Sequence, residues 1–298
     1  MKAEISSGQI VFTAETLGAE PWILRLNNDR TETNYIWRRH GQPEKSGGTP
    51  ICFPLLGAVP SGIYILNGKR YEMPMHGFAQ YCDFNIIEKS ENAMLLEIRD
   101  TPETLRRFPY AFRFQVLYQV DDRTLKTEYR VTNEDANEMF FSVGAHPRFS
   151  CPIGSGKEDL EFQDYFLEFE KPHSPESVAK SYGPIETIRQ FTAADNMKLQ
   201  LDYVLFAKGA FCYSRADNRI VTLKCAKDSR TLTMKSEGLA YLTIWNVPGE
   251  SFIALEPWYG SITSLPANPG IDRDWKARQG TLRLPPQNTF TAVFYITI

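Results

Sequence analysis

FRFQVLYQVDDRTLKTEYRV, residues 112–131, alternates apolar and polar side chains on both sides of a short polar turn. Apolar residues recur at every second position from Phe112 to Val120. In the second run Leu125, Thr127, Tyr129 and Val131 alternate with charged residues. A period of two is that of a β-strand with one buried and one hydrated face. Because a short polar turn, DDRT, joins the two runs, the stretch predicts an antiparallel β-hairpin.

Other segments of the chain show the same alternation. They are IYILNGKRYEM at 63–73, RTLTMKSEG at 230–238 and TFTAVFYITI at 289–298. In the first of them, Asn67 and Gly68 tolerate the positive φ angles of a two-residue turn, so we expect a second hairpin. In the last, every second residue from Phe290 to Ile298 is apolar and predicts one buried strand face.

Helical signal is confined to short stretches. In TPETLRRFP (101–109), Thr101 suits an N-cap and Pro102 the first helical position. FTAADN (191–196) predicts another short turn. Many short strands with Gly and Pro between them, and neither a repeat nor a linker, predict an all-β protein. We expect one large antiparallel β-sandwich domain with few short helices, spanning residues 1–298.

Composition argues against several classes of protein. The chain has 298 residues and a net charge of −3, and it lacks the basic stripe that binding to nucleic acid or an anionic membrane requires. The first residues lack the apolar core of a signal peptide, and no apolar run approaches the length of a membrane span. The cysteines form no CxxC pair and predict reduced thiols in a cytoplasmic protein. They are residues 52, 82, 151, 212 and 225.

Three ionisable residues stand in apolar surroundings. Glu256 lies in IALEPWYGSI (253–262), where burying a carboxylate is costly unless it is paired or used. His76 in MPMHGFAQ and His146 in SVGAHPRFS are each flanked by apolar residues and followed by Gly or Pro. Taken alone, each residue is most simply a hydrogen-bonded core residue or a residue at the edge of a sheet. Taken together, the three indicate a site of proton transfer. The other two histidines, His40 and His173, are predicted to be solvated loop residues.

Three motifs resemble those of one protein family. HGFAQ (76–80), GAHPRF (144–149) and LEPWYG (255–260) are similar, in this order and spacing, to motifs of the aldose 1-epimerase (galactose mutarotase) family, and above all of its divergent bacterial branch. PICFPLLG (50–57) and YLTIWNVPG (241–249) add to the resemblance. It implies a large antiparallel β-sandwich that binds a sugar on the concave face of one sheet, without a cofactor or a metal.

The resemblance also implies roles for the three ionisable residues. Glu256 would act as the base that takes the proton of the sugar C1 hydroxyl, and His146 as the acid that protonates the ring oxygen. His76 would be a second donor near that oxygen. Trp245 and Trp258 would offer flat faces to the sugar, although either can equally be a core residue.

The chain departs from the family pattern at positions that bear on the substrate. Ser46 stands where relatives acting on hexose 6-phosphates carry Arg, and Gln80 stands where many relatives carry Arg. The loss of both guanidinium groups favours a free aldohexose. Lys45 or Arg148 can substitute as holders of a phosphate. Asp202 is the nearest candidate for the sugar-binding Asp of the family, with capping of a turn as its alternative. We therefore take Gln80, Arg148 and Asp202, with the two tryptophans, as candidate substrate-binding residues.

Three other functions remain open from the sequence. The first is a carbohydrate-binding protein of the same fold without catalysis. The second is a metal site, because His76, His146 and Glu256 are the ligand set of a two-histidine, one-carboxylate triad. The third is a glycoside hydrolase, which requires a second carboxylate that the motifs do not supply. The protein is expected to be a monomer or a homodimer.

Overall fold

A computed structural model gives the architecture of the chain. It describes residues 1–38, 48–154, 159–171, 178–181, 197–207, 209–214, 220–238, 241–260, 274–277 and 280–298. The strands are β1 (Lys2–Ser6), β2 (Ile10–Glu15), β3 (Glu20–Leu26), β4 (Ile51–Cys52), β5 (Ile63–Leu66), β6 (Lys69–Glu72), β7 (Asn85–Lys89), β8 (Ala93–Arg99), β9 (Phe112–Asp121), β10 (Thr124–Asn133), β11 (Met139–Phe141), β12 (Val143–Ala145), β13 (Arg148–Ser150), β14 (Tyr165–Phe169), β15 (Val178–Ser181), β16 (Lys198–Gln200), β17 (Phe211–Ser214), β18 (Ile220–Cys225), β19 (Asp228–Glu237), β20 (Tyr241–Trp245), β21 (Phe252–Tyr259), β22 (Leu282–Leu284) and β23 (Thr289–Thr297). The α-helices are α1 (Pro102–Arg107) and α2 (Tyr203–Phe206), and single 3-10 turns lie at Pro60–Gly62, Ala79–Tyr81 and Phe162–Asp164.

The predicted hairpin lies inside a nine-stranded antiparallel sheet. Strands β9 and β10 pair along their whole length, and β23 pairs with the other side of β10. The sheet order is β16-β14-β18-β19-β23-β10-β9-β8-β7. The even-numbered residues Phe112 to Val120 of β9 are fully buried, as their alternation predicts. Both the hairpin and the last strand are therefore confirmed.

A second sheet packs against the first to form the β-sandwich. Its order is β15-β17-β20-β21-β12-β4, and β13 also pairs with β21. Ile253, Leu255 and Tyr259 of β21 point into the core shared with the nine-stranded sheet. Ala254, Glu256 and Trp258 point away from that core, because side chains alternate along a strand. The all-β sandwich predicted from the sequence is confirmed.

The local turn and cap predictions are confirmed as well. Asn67 and Gly68 have φ angles of 51° and 74° and connect β5 to β6. Helix α1 begins after Thr101, whose hydroxyl accepts a hydrogen bond from the Thr104 amide at 3.2 Å, while Pro102 occupies its first turn. Within the described ranges, no helix is long and apolar enough to cross a membrane. The turn predicted for FTAADN lies outside the described residues.

Phe53 joins the two sheets at the end of β4. Its ring is fully buried, 4.7 Å from the ring of Phe114 in the nine-stranded sheet. Its other ring contacts, all within 6.1 Å, are with Phe78, Phe108, Phe112 and Phe141. The backbone of Phe53 also holds the segment that follows β6: its amide donates to the His76 carbonyl at 3.1 Å, and its carbonyl accepts from the Ala79 amide at 3.2 Å.

We expect Phe53→Ala to lower the free energy of unfolding by about 3–5 kcal/mol, because it leaves a cavity among packed aromatic rings. Urea denaturation of the purified variant measures the loss. Phe166→Ala is the matched control, since Phe166 is only half-buried in β14, and it should cost about 1 kcal/mol. Equal losses in the two variants would contradict the role given to Phe53.

Candidate active site

Glu256 lies in the middle of a strand that is buried throughout. Every residue of β21 is buried, and Glu256 is 1% exposed. Its Cα partner on β20 is Thr243, which is equally buried. Because it alternates with Leu255, Glu256 points away from the core between the sheets. We call the face that carries Glu256, His146, Arg148, Trp245 and Trp258 the site face.

His146 lies opposite Glu256 across the sheet. The β12–β21 and β13–β21 pairings belong to one continuous register, which places His146 directly across from Glu256. Nε2 of His146 lies 3.4 Å from Oε2 of Glu256. The His146 amide donates to the Pro50 carbonyl at 3.0 Å, so the backbone of this residue is fixed from the other side too. The histidine is 7% exposed.

His76 is brought to the same place by a turn after β6. Its φ angle is 62°, a conformation that few residues other than glycine adopt, and Gly77 follows with φ of 77°. A Cβ at Gly77 would lie 2.0 Å from the Phe53 carbonyl oxygen, so this position requires glycine. The imidazole of His76 lies 5.2 Å from that of His146, nearly perpendicular to it, and 6.0 Å from the Trp258 ring.

The hydrogen bond to the His76 ring decides its tautomer. The Gly57 amide donates to Nδ1 of His76 at 3.2 Å, and the His76 amide donates back to the Gly57 carbonyl at 2.7 Å. An Nδ1 that accepts a hydrogen bond carries no proton, so the neutral ring holds its proton on Nε2. Burial, aided by the charge of Arg148, lowers the pKa of His76 to about 4. His76 is therefore a neutral hydrogen-bond donor at neutral pH.

Burial sets the protonation of the other two groups. It raises the pKa of Glu256 well above its usual range, while the charge of Arg148 acts in the opposite direction. The indole N–H of Trp258 also favours the carboxylate, although its geometry falls outside that of a full hydrogen bond. Burial lowers the pKa of His146 well below its usual range, and His76 and Arg148 add to that effect. Desolvation disfavours the charged form of each group.

Three buried polar atoms at this point lack a hydrogen bond within the described part of the chain. They are Nδ1 of His146, Oε2 of Glu256 and Nε1 of Trp258. Leaving such an atom unsatisfied costs about 1–3 kcal/mol, so their clustering at one place calls for a polar ligand. Sugar hydroxyl groups, which both donate and accept hydrogen bonds, match this need.

Sulfur-containing and aromatic residues surround the carboxylate. Cys52, Leu56, Cys212 and Trp258 form one buried apolar cluster on the site face. The Thr243 hydroxyl, across from Glu256, donates to the Cys212 sulfur at 3.1 Å. Burial, followed by the nearby carboxylate, raises the pKa of Cys52 well above its usual range, so this thiol stays neutral.

The structure places the other predicted residues as follows. Trp245 is half-buried, with its ring 5.4 Å from that of His146, whereas Trp258 is 5% exposed. The Gln80 amide donates to the carbonyls of Met75 and Gly77, at 2.8 and 3.2 Å, and so braces the turn of His76.

Asp202 is not brought to this cluster. Its carboxylate caps helix α2 by accepting from the Val204 amide at 2.9 Å, the alternative that its sequence context offered. His40, Lys45, Ser46 and His173 lie outside the described residues.

Gly57, Trp37 and Phe252 were not identified as functional residues from the sequence. Gly57 holds the His76 ring, and it stands in the PICFPLLG motif, which was quoted for the resemblance without a role. Phe252 is two positions before Ala254 on the strand of Glu256, so alternation alone places it on the site face. Trp37 had no local signal, because its neighbours on the site face are distant in sequence.

Comparison with known proteins identifies the family. The family model described as aldose 1-epimerase matches residues 44–275. Protein LacX (plasmid) of Lactococcus lactis subsp. lactis is 32% identical over 279 residues, which cover 89% of this chain and 90% of that protein. The chain belongs to the aldose 1-epimerase family, as its three motifs indicated.

Solved structures show the same fold over the whole chain. A galactose mutarotase-like protein from Lactobacillus casei is 27% identical, with a TM-score of 0.84, and the match covers 100% of this chain and 99% of that one. A galactose mutarotase related enzyme from Lactobacillus acidophilus is 24% identical, with a TM-score of 0.84 and coverage of 100% and 97%. The β-sandwich is thus that of galactose mutarotase-like proteins.

The three site residues are not grouped as metal ligands. Among the described residues, no set of three His, Cys, Asp or Glu side chains is arranged to hold a metal ion. Nδ1 of His76 already accepts the Gly57 amide, which leaves Nε2 as its ring atom facing the site.

We expect Glu256→Gln to raise the melting temperature, and to do so more at pH 8 than at pH 5. Folding raises the pKa of Glu256, so the stability of the wild type is greatest below the unfolded pKa and falls as pH rises toward the folded one. Each pH unit in that window costs the wild type about 1.4 kcal/mol, and the amide avoids the loss. Scanning calorimetry at both pH values measures the difference.

Glu128→Gln is the matched control for this prediction. Although burial acts to raise the pKa of Glu128, its hydrogen bonds with Lys126 and Arg130 leave that pKa below the usual value. Ionised Glu128 therefore stabilises the fold above the unfolded pKa, so its amide variant should lose stability at pH 8. A fall in melting temperature for Glu256→Gln as well would refute the desolvation argument.

Proposed function

We propose that this protein is an aldose 1-epimerase that interconverts the α and β anomers of a free aldohexose. The observation that carries the proposal is the juxtaposition of His146 and Glu256, 3.4 Å apart, with the His76 ring beside them. A proton donor and a proton acceptor next to each other in a dry site are the minimum that ring opening of a hemiacetal requires. Family membership supports the same reaction.

The reaction moves two protons and breaks one bond. A base takes the proton of the C1 hydroxyl, the C1–O1 bond becomes a carbonyl, and the bond from C1 to the ring oxygen breaks. An acid gives a proton to that oxygen as it leaves. Rotation about the C1–C2 bond presents the other face of the carbonyl, and the reverse steps close the ring as the other anomer. The protein regains its original protonation state.

Glu256 is the base and His146 the acid in this scheme. The reaction needs one proton on the pair, so activity falls when both groups are protonated at low pH and when both have lost their protons at high pH. The two limbs of the pH profile belong to the pair rather than to either residue. Because burial favours uncharged forms, polar atoms of the sugar support the ionised carboxylate and the imidazolium during turnover.

His76 orients the sugar rather than transferring a proton. Its Nε2 carries the proton of the neutral ring, since Nδ1 accepts the Gly57 amide. A pKa of about 4 keeps the ring uncharged at neutral pH. Such a ring can donate a hydrogen bond to the ring oxygen of the sugar without competing with His146 as the acid.

A free sugar is favoured over a sugar phosphate. Gln80, which stands where many relatives carry Arg, is uncharged, and its amide nitrogen is engaged with the Met75 and Gly77 carbonyls. Ser46 stands where the relatives acting on hexose 6-phosphates carry another Arg. Without these guanidinium groups the chain lacks two bidentate phosphate contacts. The half-buried ring of Trp245 can pack against the C–H face of an aldohexose.

We expect Glu256→Gln to reduce the turnover of glucose or galactose anomers by about 10²- to 10⁴-fold while sugar binding persists, since the amide cannot take a proton. His146→Asn should cost a similar factor. The double variant should lose far less than the product of the two factors, because acid and base act in one step. Saturation-transfer NMR measures anomer exchange at equilibrium.

The same measurements discriminate against a carbohydrate-binding protein without catalysis. In that case the wild type binds the sugar, but anomer exchange equals the uncatalysed rate, and Glu256→Gln changes nothing in exchange. Fully multiplicative losses in the double variant would instead assign Glu256 and His146 to separate steps.

We expect His76→Asn to raise KM more than it lowers kcat, because its role is to hold the ring oxygen in place. Initial rates at a series of sugar concentrations separate the two constants. His76→Gln serves as the matched variant, since its longer side chain can still carry a donor toward the site. A loss confined to kcat would give His76 a proton-transfer role instead.

A further inference from the structure

Arg148 shares the site face with the acid and the base. It pairs with Ala254 across β13 and β21, so Glu256 is its diagonal neighbour on the same face. In an antiparallel pair, such neighbours lie about 7–8 Å apart. His146 is two positions earlier in the chain and lies on the same face. The guanidinium therefore stands beside both members of the pair.

Aromatic rings enclose the Arg148 guanidinium. Its central carbon lies 5.8 Å from the Trp37 ring, 5.2 Å from the Trp245 ring and 5.3 Å from the Phe252 ring. These are cation–π distances. Gly48 approaches from another side: a Cβ there would come within 3.0 Å of Nη1 and 3.2 Å of the Trp37 ring. Arg148 is half-buried, so these contacts displace part of the water around the guanidinium and strengthen the field of its charge at neighbouring groups.

The charge of Arg148 acts on all three site residues. After burial, it is the largest influence on the pKa of Glu256 and of His76, lowering both, and it also lowers the pKa of His146. The other titratable groups that face Glu256 from neighbouring elements are His146, His76, and the Cys52 and Cys212 thiols, with the Tyr241 phenol at the edge. Within the described residues, the permanent cation acting on Glu256 is Arg148.

We propose that Arg148 is a positioning residue that sets the charge state of the Glu256–His146 pair, keeping a carboxylate available in a dry site, rather than a grip for substrate phosphate or hydroxyl groups. The inference rests on the proposed epimerase function. A fixed cation stabilises ionised Glu256 and opposes a second proton on the pair. The one-proton state that ring opening requires is thereby moved to lower pH.

The first test is the pH profile of kcat in Arg148→Gln. Loss of the cation should move both limbs to higher pH by about 1.5–1.7 pH units, the effect of a unit charge about 7–8 Å away at an effective dielectric constant of about 20. Arg148→Lys should keep the wild-type profile, whatever its KM. If Arg148 instead binds the substrate, KM should rise in both variants and the two limbs of the pH profile should stay in place. That result would overturn the inference.

The second test needs no turnover. The chain has only four histidines, so NMR titration of their ring protons, assigned with His76→Asn and His146→Asn, follows each site in the sugar-free protein. In Arg148→Gln the pKa of His76 should rise from about 4, and that of His146 should rise with it. Arg130→Gln, which removes a cation from the nine-stranded sheet, should leave both unchanged. Arg148→Met keeps the packing and repeats the test if Arg148→Gln does not fold.

The two tests separate failure of the inference from failure of the proposed function. If the histidine pKa values rise in Arg148→Gln but the wild type shows no anomer exchange, the role of Arg148 is supported and the epimerase function is refuted. The opposite result is anomer exchange in the wild type together with histidine pKa values that do not change in Arg148→Gln or Arg148→Met. It refutes the role of Arg148 and leaves the epimerase function intact.

Discussion

Burial of Glu256 is the constraint on which the site depends. The carboxylate lies in a strand covered on both faces, where ionisation is costly and every neighbour affects its charge. Around it the fold places His146 directly across the sheet, His76 as a neutral hydrogen-bond donor, and the Arg148 guanidinium beside three aromatic rings. Each of these groups bears on one question, namely where the protons of the site reside.

The sandwich supplies the rigidity that this arrangement requires. One continuous register along β21 places His146 opposite Glu256 and Arg148 opposite Ala254, two residues away on the same face. Phe53 connects the packing of both sheets to the turn that presents His76, through ring contacts on one side and backbone hydrogen bonds on the other. Groups positioned by strands and buried backbone keep their separations, which a reaction with paired proton transfers needs.

The sequence predicted the fold well because its signals are local. Alternation with period two identified the central hairpin and the last strand, while Asn67-Gly68 and Thr101-Pro102 specified a turn and a helix start. The site was predicted in outline from the motifs around His76, His146 and Glu256. Two of the candidate substrate-binding residues make local hydrogen bonds: Gln80 braces the turn of His76, and Asp202 caps a helix, the alternative that its sequence context offered.

What the sequence determined by itself is therefore the strand pattern and the turns, which depend on residues close together in the chain, and the family, which three short motifs in a fixed order indicated. Only the tertiary structure decided the tautomer of His76, which the distant Gly57 amide fixes, and the surroundings of Arg148, which Trp37 and Phe252 supply from opposite ends of the chain. Proton affinity depends on burial and on charges across space. Neither quantity is encoded in any short stretch of residues.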